Sequence, residues 1–237
     1  MFAAIFFDLD NTLCDDTGAS RCAVARACHF LGARFPRLAE TPLEAAYLTA
    51  STALWTDDPV LLRGPVRAMR RQAWATALHQ VGGDPTWTDV AVDCYTQARR
   101  ETYRRFPETI PLLRALRQRY HVGMITNGPA DLQREKLTVM GLIGEVDAIT
   151  IAGESGYSKP QPEIFHLALR HAGCAPAQAL MIGDSWEKDI VPARDLGMTA
   201  LWISPAPPAA AISVATLPHI RDLAHWLAMH PPAHLKT

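Results

Sequence analysis

The chain is expected to fold as an α/β protein, a doubly wound parallel sheet carrying a helical insertion. Three observations carry that expectation. Five short apolar runs read as strands, helical patterns of about ten to twenty residues separate the last four, and the stretch between the first two holds helices alone. With 237 residues and 49% apolar composition, there is core enough for one large domain or two modest ones.

The first strand spans Ala4 to Leu9 and runs into Asp8-Leu9-Asp10-Asn11-Thr12, which places two carboxylates one residue apart where an apolar run gives way to turn formers. In an extended chain residues i and i+2 point the same way, so Asp8 and Asp10 are expected to face a common site beyond the strand end. Two carboxylates about 4 Å apart repel by roughly 4 kcal/mol at an effective dielectric near 20. Such an arrangement invites a cation or acid–base chemistry, although Asp and Asn also serve as ordinary turn formers.

Residues 15–105 then read as amphipathic helices at Ser20 to Leu31, Pro42 to Trp55, Val66 to Val81 and Thr88 to Arg105. Gly32, Asp57-Asp58-Pro59 and Gly82-Gly83-Asp84-Pro85 divide them. The insertion begins near Cys14 to Gly18 and ends near Phe106-Pro107, beside the acids, which suits a movable lid. The expected division is therefore an α/β core of residues 1–14 and 106–237 and a helical cap domain of residues 15–105.

The remaining strands are His121 to Thr126, Ala148 to Gly153, Ala179 to Asp184 and Thr199 to Ser204. After them Pro205, Pro207, Pro208 and three alanines read as a linker, and His219 to Met229 as a packing helix without chemistry.

The formal charge is −1, so no basic field argues for nucleic acid or an anionic membrane as a partner. A small-molecule ligand is the default. Cys14, Cys22, Cys28, Cys94 and Cys174 are odd in number and scattered without zinc-like spacing. Reduced thiols in a cytoplasm are expected. The first strand leaves no room for a signal sequence, and no apolar run reaches the roughly 18 residues of a membrane span.

Ligands of doubly wound sheets bind beyond the carboxyl ends of the strands, at a topological switch point. Four strands end in, or lead to, polar groups: Asp8 and Asp10 after the first, Thr126-Asn127-Gly128 after the second, Ser158-Lys159-Pro160 after the third, and Gly183-Asp184-Ser185 with Asp189 after the fourth. A parallel sheet brings all of them to one edge. Each has a local alternative: Asn-Gly as a plain turn, Lys159 as a solvated loop residue, Asp184 as a helix N-cap.

In this order the four clusters resemble the motifs of the haloacid dehalogenase (HAD) superfamily of phosphohydrolases, over the whole chain. The stretches Phe6 to Ser20 and Thr126 to Leu137 further resemble its N-acylneuraminate-9-phosphatase branch. The resemblance implies a Rossmann-like core and a magnesium-dependent phosphatase acting on a small phosphorylated metabolite through an aspartyl-phosphate. Asp8 would be the nucleophile, and Asp10 the acid that protonates the leaving oxygen and later activates water. Thr126 and the Asn127 amide would hold phosphoryl oxygens, with Lys159 offsetting their charge. Mg2+ would sit on Asp8, the Asp10 main-chain carbonyl and Asp184, with Asp189 direct or through water. Four acids against one lysine leave a deficit for a divalent ion to fill.

A nine-carbon sugar phosphate such as N-acylneuraminate 9-phosphate leads as substrate. A nucleoside-5′-monophosphate phosphatase is the first alternative; a 2-haloacid dehalogenase, whose family lacks the second acid of the first motif, comes after it. A phosphate- or metal-sensing module without turnover is the alternative outside enzymes. The lysines are Lys136, Lys159, Lys188 and Lys236, so the cap carries none for a Schiff base, as superfamily phosphonate hydrolases need. Within the insertion Arg63, Arg67, Arg70 and Arg71 with Trp74, and Arg99, Arg100, Arg104 and Arg105 with Tyr103, could bind a sugar carboxylate or a nucleobase but read mainly as solvated helix faces, and Trp55, Trp87 and Tyr95 read as core.

Overall fold

The computed structural model describes residues 2–39, 41–55, 63–206 and 214–229. Its strands are β1 (Ala4–Phe7), β2 (His121–Thr126), β3 (Ala148–Ile151), β4 (Ala179–Gly183), β5 (Thr199–Ile203) and β6 (Ala215–Leu217). They form one sheet in the order β3-β2-β1-β4-β5-β6, with every neighbouring pair parallel. From β1 the chain winds outward one way through β2 and β3, then returns to add β4, β5 and β6 on the other side. The switch point therefore lies between β1 and β4, where Phe7 is in register with Ile182.

Period-two alternation splits the strand residues between two cores. Ile5, Phe7, Val122, Met124, Leu180 and Ile182 pack beneath helices containing Leu113, Leu132 and Leu223. Phe6, Ile125, Met181 and Trp202 pack on the opposite face against Ile164, Phe165 and Ala193. Fully buried aliphatic and aromatic side chains of this kind contribute about 1.5–3 kcal/mol each by leaving water.

The helices between the first two strands are α1 (Asp16–Arg34), α2 (Leu43–Leu54), α3 (Val66–Gln80) and α4 (Thr88–Thr102). They surround a separate cluster that includes Leu31, Tyr47, Trp74, Leu78 and Tyr95, with Tyr47 and Trp74 stacked 4.1 Å apart. The outgoing and returning chains run side by side: Phe106 donates its amide to Leu13 at 3.1 Å, and Asp15 to Arg104 at 3.3 Å.

Several boundaries differ from the sequence expectation for physical reasons. Strands β1, β3, β4 and β5 stop before Leu9, Gly153, Asp184 and Ser204, and after β3 a helical turn, Ala152–Ser155, takes over directly. Helix α1 starts at Asp16, where the Asp15 carboxylate accepts from the Gly18 amide at 2.8 Å. It continues through Gly32, where an added Cβ would sit 3.3 Å from the Ala39 backbone, so this glycine permits a close chain approach and divides nothing. The three-residue edge strand β6 carries no alternation long enough to read. Asp57-Asp58-Pro59, Pro207, Pro208, the alanines after them and Lys236 lie outside the described residues. Among the described residues no helix is long and apolar enough to cross a membrane, and all five cysteines are free thiols.

Candidate active site

Asp8 follows the last residue of β1 and keeps its amide in the ladder, donating to Ile182 at 2.9 Å. Three residues on, Asn11 takes a left-handed φ of 61°, which Asn tolerates, and its side chain accepts from the Thr17 amide at 3.0 Å. The two acids have different partners. The Asp8 carboxylate meets Lys159 Nζ at 2.6 Å, whereas Asp10 is held through both oxygens by Lys136 Nζ at 2.9 Å. Both acids therefore lie at the end of β1, each held by its own lysine.

Lys159 also reaches Asp189 at 2.6 Å. Its loop is tied to the end of β2 in both directions: the Lys159 amide donates to Asn127 Oδ1, and Asn127 Nδ2 donates to the Lys159 carbonyl, each at 2.8 Å. The Lys159-Pro160 peptide is cis. Asp189 lies on a π-helical turn, Trp186–Ile190, and accepts from the Ser185 amide at 3.1 Å. Gly183 makes room for it, since an added Cβ would stand 2.3 Å from Asp189 Oδ2. Ligand oxygens of Asp8, Asp184 and Asp189 consequently lie within 4.8 Å of one another.

A second cluster adjoins this one. Lys136, 2% exposed, bridges Asp10 and Asp16, the latter at 2.8 Å, and Arg99 closes on Asp16 at 2.6 Å. Gln133, one helical turn before Lys136 on α6 once α5 (Thr109–Arg117) and α6 (Ala130–Val139) are counted, donates to Thr126 Oγ1 and the Asn127 carbonyl at 2.6 Å and to Asp10 at 3.1 Å. Thr126 and Asn127 are thus linked to Asp10 through Gln133. None of Lys136, Gln133, Asp16 or Arg99 was singled out as a site residue from sequence. The readable signal was the i, i+3 spacing of Gln133 and Lys136 on the helix that follows Thr126-Asn127-Gly128.

Counting charges cluster by cluster locates the deficit. Asp10 and Asp16 are matched by Lys136 and Arg99, whereas Asp8 and Asp189 share Lys159 with Asp184 close by, so these four groups together carry a formal −2. The sequence count of four acids against one lysine was wrong in its members, since Lys136 neutralises Asp10. Burial, together with the charges of Asp8 and Asp189, pushes the Asp184 carboxyl up to about 7. Burial likewise pushes Asp8 up to about 6 against the pull of Lys159. Asp10 is raised by burial and by Asp16, with Lys136 opposing. For Asp16, burial works against the charged form but Lys136 and Arg99 outweigh it, and its pKa falls.

A cavity of about 370 Å³ opens from this edge into the helical layer, with Asp10, Asn127 and Gly128 at one part of its wall and Tyr47, Trp55 and Arg70 at another. Two sequence expectations fail here. Arg70 and Arg99 are buried, at 6% and 3% exposure, and Trp55 is exposed. Arg67, Arg71 and Arg100 are exposed ion-paired residues, as expected.

A family model for haloacid dehalogenase-like hydrolases matches residues 2–197. The chain is 33% identical over 218 residues to a phosphoserine phosphatase of Thermus thermophilus, covering 84% of this chain and 87% of that one. It is 28% identical over 205 residues to the N-acylneuraminate-9-phosphatase of Homo sapiens, covering 85% and 82%. A crystal structure described as a 2-haloacid dehalogenase from Pseudomonas syringae pv. Tomato DC3000 superposes with a TM-score of 0.71 at 29% identity, covering 97% of this chain and all of that one.

Proposed function

The chain belongs to the haloacid dehalogenase-like hydrolase family, and from that premise we propose that it is a cytoplasmic, magnesium-dependent phosphatase of small phosphate monoesters. The observation that carries the reading is the gathering of Asp8, Asp184 and Asp189 around Lys159 at the switch point, four groups with a formal −2 between them. The donor set fits magnesium, a hard cation served by carboxylate oxygens. Asp8, Asp184 and the Asp10 main-chain carbonyl would hold the ion, with Asp189 direct or through water. Bound there, it would neutralise phosphoryl oxygens and orient the ester.

The residues then divide the work. An Asp8 oxygen attacks phosphorus, forming the aspartyl-phosphate as the bond to the leaving oxygen breaks. Asp10 delivers a proton to that oxygen, then takes one from the water that hydrolyses the intermediate and frees inorganic phosphate. Lys136 and Gln133 fix the Asp10 carboxylate for both steps. The Thr126 hydroxyl, which accepts from Gln133 and donates to the Asn127 carbonyl at 3.3 Å, would exchange that long bond for one to a phosphoryl oxygen, with the Asn127 amide beside it. Lys159 spreads positive charge across Asp8, Asp189 and the transferring group. Residues 15–105 act as a cap over a core of residues 1–14 and 106–237, excluding water from the cavity. Their separate hydrophobic cluster supports that division.

Dehalogenation is disfavoured because a halide leaves without a proton, which gives the clamped Asp10 no task. N-acylneuraminate 9-phosphate remains the leading substrate, supported by the relative at 28% identity. A panel containing it, phosphoserine, hexose phosphates and nucleoside monophosphates tests the reading by phosphate release. Turnover is expected with Mg2+ and is lost with chelator or in Asp8→Asn. A silent panel beside halide release from 2-chloropropionate would overturn it.

A further inference from the structure

We propose that Arg70 forms an anion subsite in the cavity wall, so that the preferred substrate is a phosphate monoester bearing a carboxylate on its leaving group. The assignment rests on the phosphatase reading above. It starts from an asymmetry among buried cations. Lys159, Lys136 and Arg99 each have a carboxylate within 2.9 Å, as removal of a cation from water demands.

Arg70 is 6% exposed, yet among the described residues it has no ion-pair partner. Its contacts are the Thr96 hydroxyl at 3.1 Å, the Tyr103 hydroxyl at 3.5 Å and the face of Tyr95, 5.4 Å from the guanidinium carbon to the ring centroid. The second of these is at the limit of a hydrogen bond. Glu135 accepts from Tyr103 at 3.3 Å, but Arg100 takes it at 2.6 Å.

A guanidinium presents five donors in a planar fork that matches a carboxylate. Two donor contacts to neutral hydroxyls leave most of that fork unused, and Arg70 lines the same cavity as Asp10 and Asn127. An ester whose phosphate reaches Asp8 can extend into this cavity and bring its carboxylate to Arg70. Ser51 and Tyr47 add hydroxyls to the same wall, which suits a polar leaving group. The requirement is chemical and takes in phosphorylated hydroxy, amino and sugar acids alike.

The test compares kcat/KM for ester pairs that differ in the carboxylate: phosphoserine with ethanolamine phosphate, and 6-phosphogluconate with sorbitol 6-phosphate, all with Mg2+. The carboxylated member is expected to be favoured roughly 10- to 100-fold, the range one charge-assisted pair supplies. Arg70→Gln should bring that ratio close to one, and Arg70→Lys should restore part of it. Because the readout is a ratio within one preparation, a poorly folded variant does not mimic the result. Equal turnover of paired esters by the parent enzyme overturns the subsite and leaves the phosphatase reading standing. An undiminished ratio in Arg70→Gln also overturns it. No phosphate release from any ester would instead defeat the phosphatase reading.

Discussion

Replacing Lys136 by methionine keeps the side-chain length and removes one charge from a cluster that the structure balances. With Lys136 present, Asp10 and Asp16 are opposed by Lys136 and Arg99; without it, two carboxylates share one guanidinium and the cluster carries a net −1. Lys136 contacts Asp10 at 2.9 Å and Asp16 at 2.8 Å, and its own side chain is 3% exposed. Breaking a buried pair by removing one partner costs about 3–5 kcal/mol. The Asp10 and Asp16 side chains keep 28% and 23% of their exposure, so water softens the loss and about 3 kcal/mol is expected in urea unfolding at neutral pH. The double variant Lys136→Met/Asp16→Asn removes one acid as well, and should recover about half of that stability through a coupling between contacting residues. Turnover should stay low in the double variant, because Asp10 still lacks the ammonium that orients it. A single variant within about 1 kcal/mol of the parent, or a double variant no more stable than the single, would refute the electrostatic reasoning.

Other consequences are equally checkable. Gly183→Ala places a methyl 2.3 Å from Asp189 Oδ2, so it should cost about 1–3 kcal/mol by overpacking and depress turnover more than Ala elsewhere in β4; unchanged kinetics would contradict the cradle. Chelator-treated protein should lose stability as pH rises from about 4 to 7. Burial lifts Asp8 to about 6 and Asp184 to about 7, so the native state binds more protons than the unfolded chain across that window; thermal melts whose Tm climbs steadily through it would sink the argument. Trp74→Ala deletes a fully buried ring stacked on Tyr47. A loss of about 3–5 kcal/mol is expected by denaturant titration, and a loss under 1 kcal/mol would mean that the helical cluster does not depend on it.

What the sequence revealed follows from where each residue sits. Asp8, Thr126 and Asp184 stand at or just beyond strand ends and Lys159 on the connection after β3, and parallel pairing sends all such ends to one edge, so order along the chain predicts their meeting. Asp189 followed because it lies five residues beyond Asp184. The residues that stayed hidden lie on helices, where the face turned to the site depends on packing between elements. Arg70 shows what could have been seen: Val66, Arg70, Ala73, Trp74 and Ala77 repeat at helical spacing, which sets Arg70 on an otherwise apolar stripe and marks it as buried. Trp55 was misjudged because an aromatic at the end of an apolar helix reads as core, whereas α2 ends there and leaves the ring on the cavity wall. The differing partners of Asp8 and Asp10 come from Lys136 on α6 and Lys159 on the connection after β3, which strand periodicity does not anticipate.

Calorimetric titration of Mg2+ into the chelator-stripped protein and two variants tests the central arrangement most directly. One site is expected in the parent chain. Asp184→Asn should weaken it at least tenfold, and Asp10→Asn should nearly preserve it, because the Asp10 side chain is held by Lys136 and in the proposed site only its main-chain carbonyl would reach the ion. Equal Mg2+ affinity in the parent and Asp184→Asn would contradict the account.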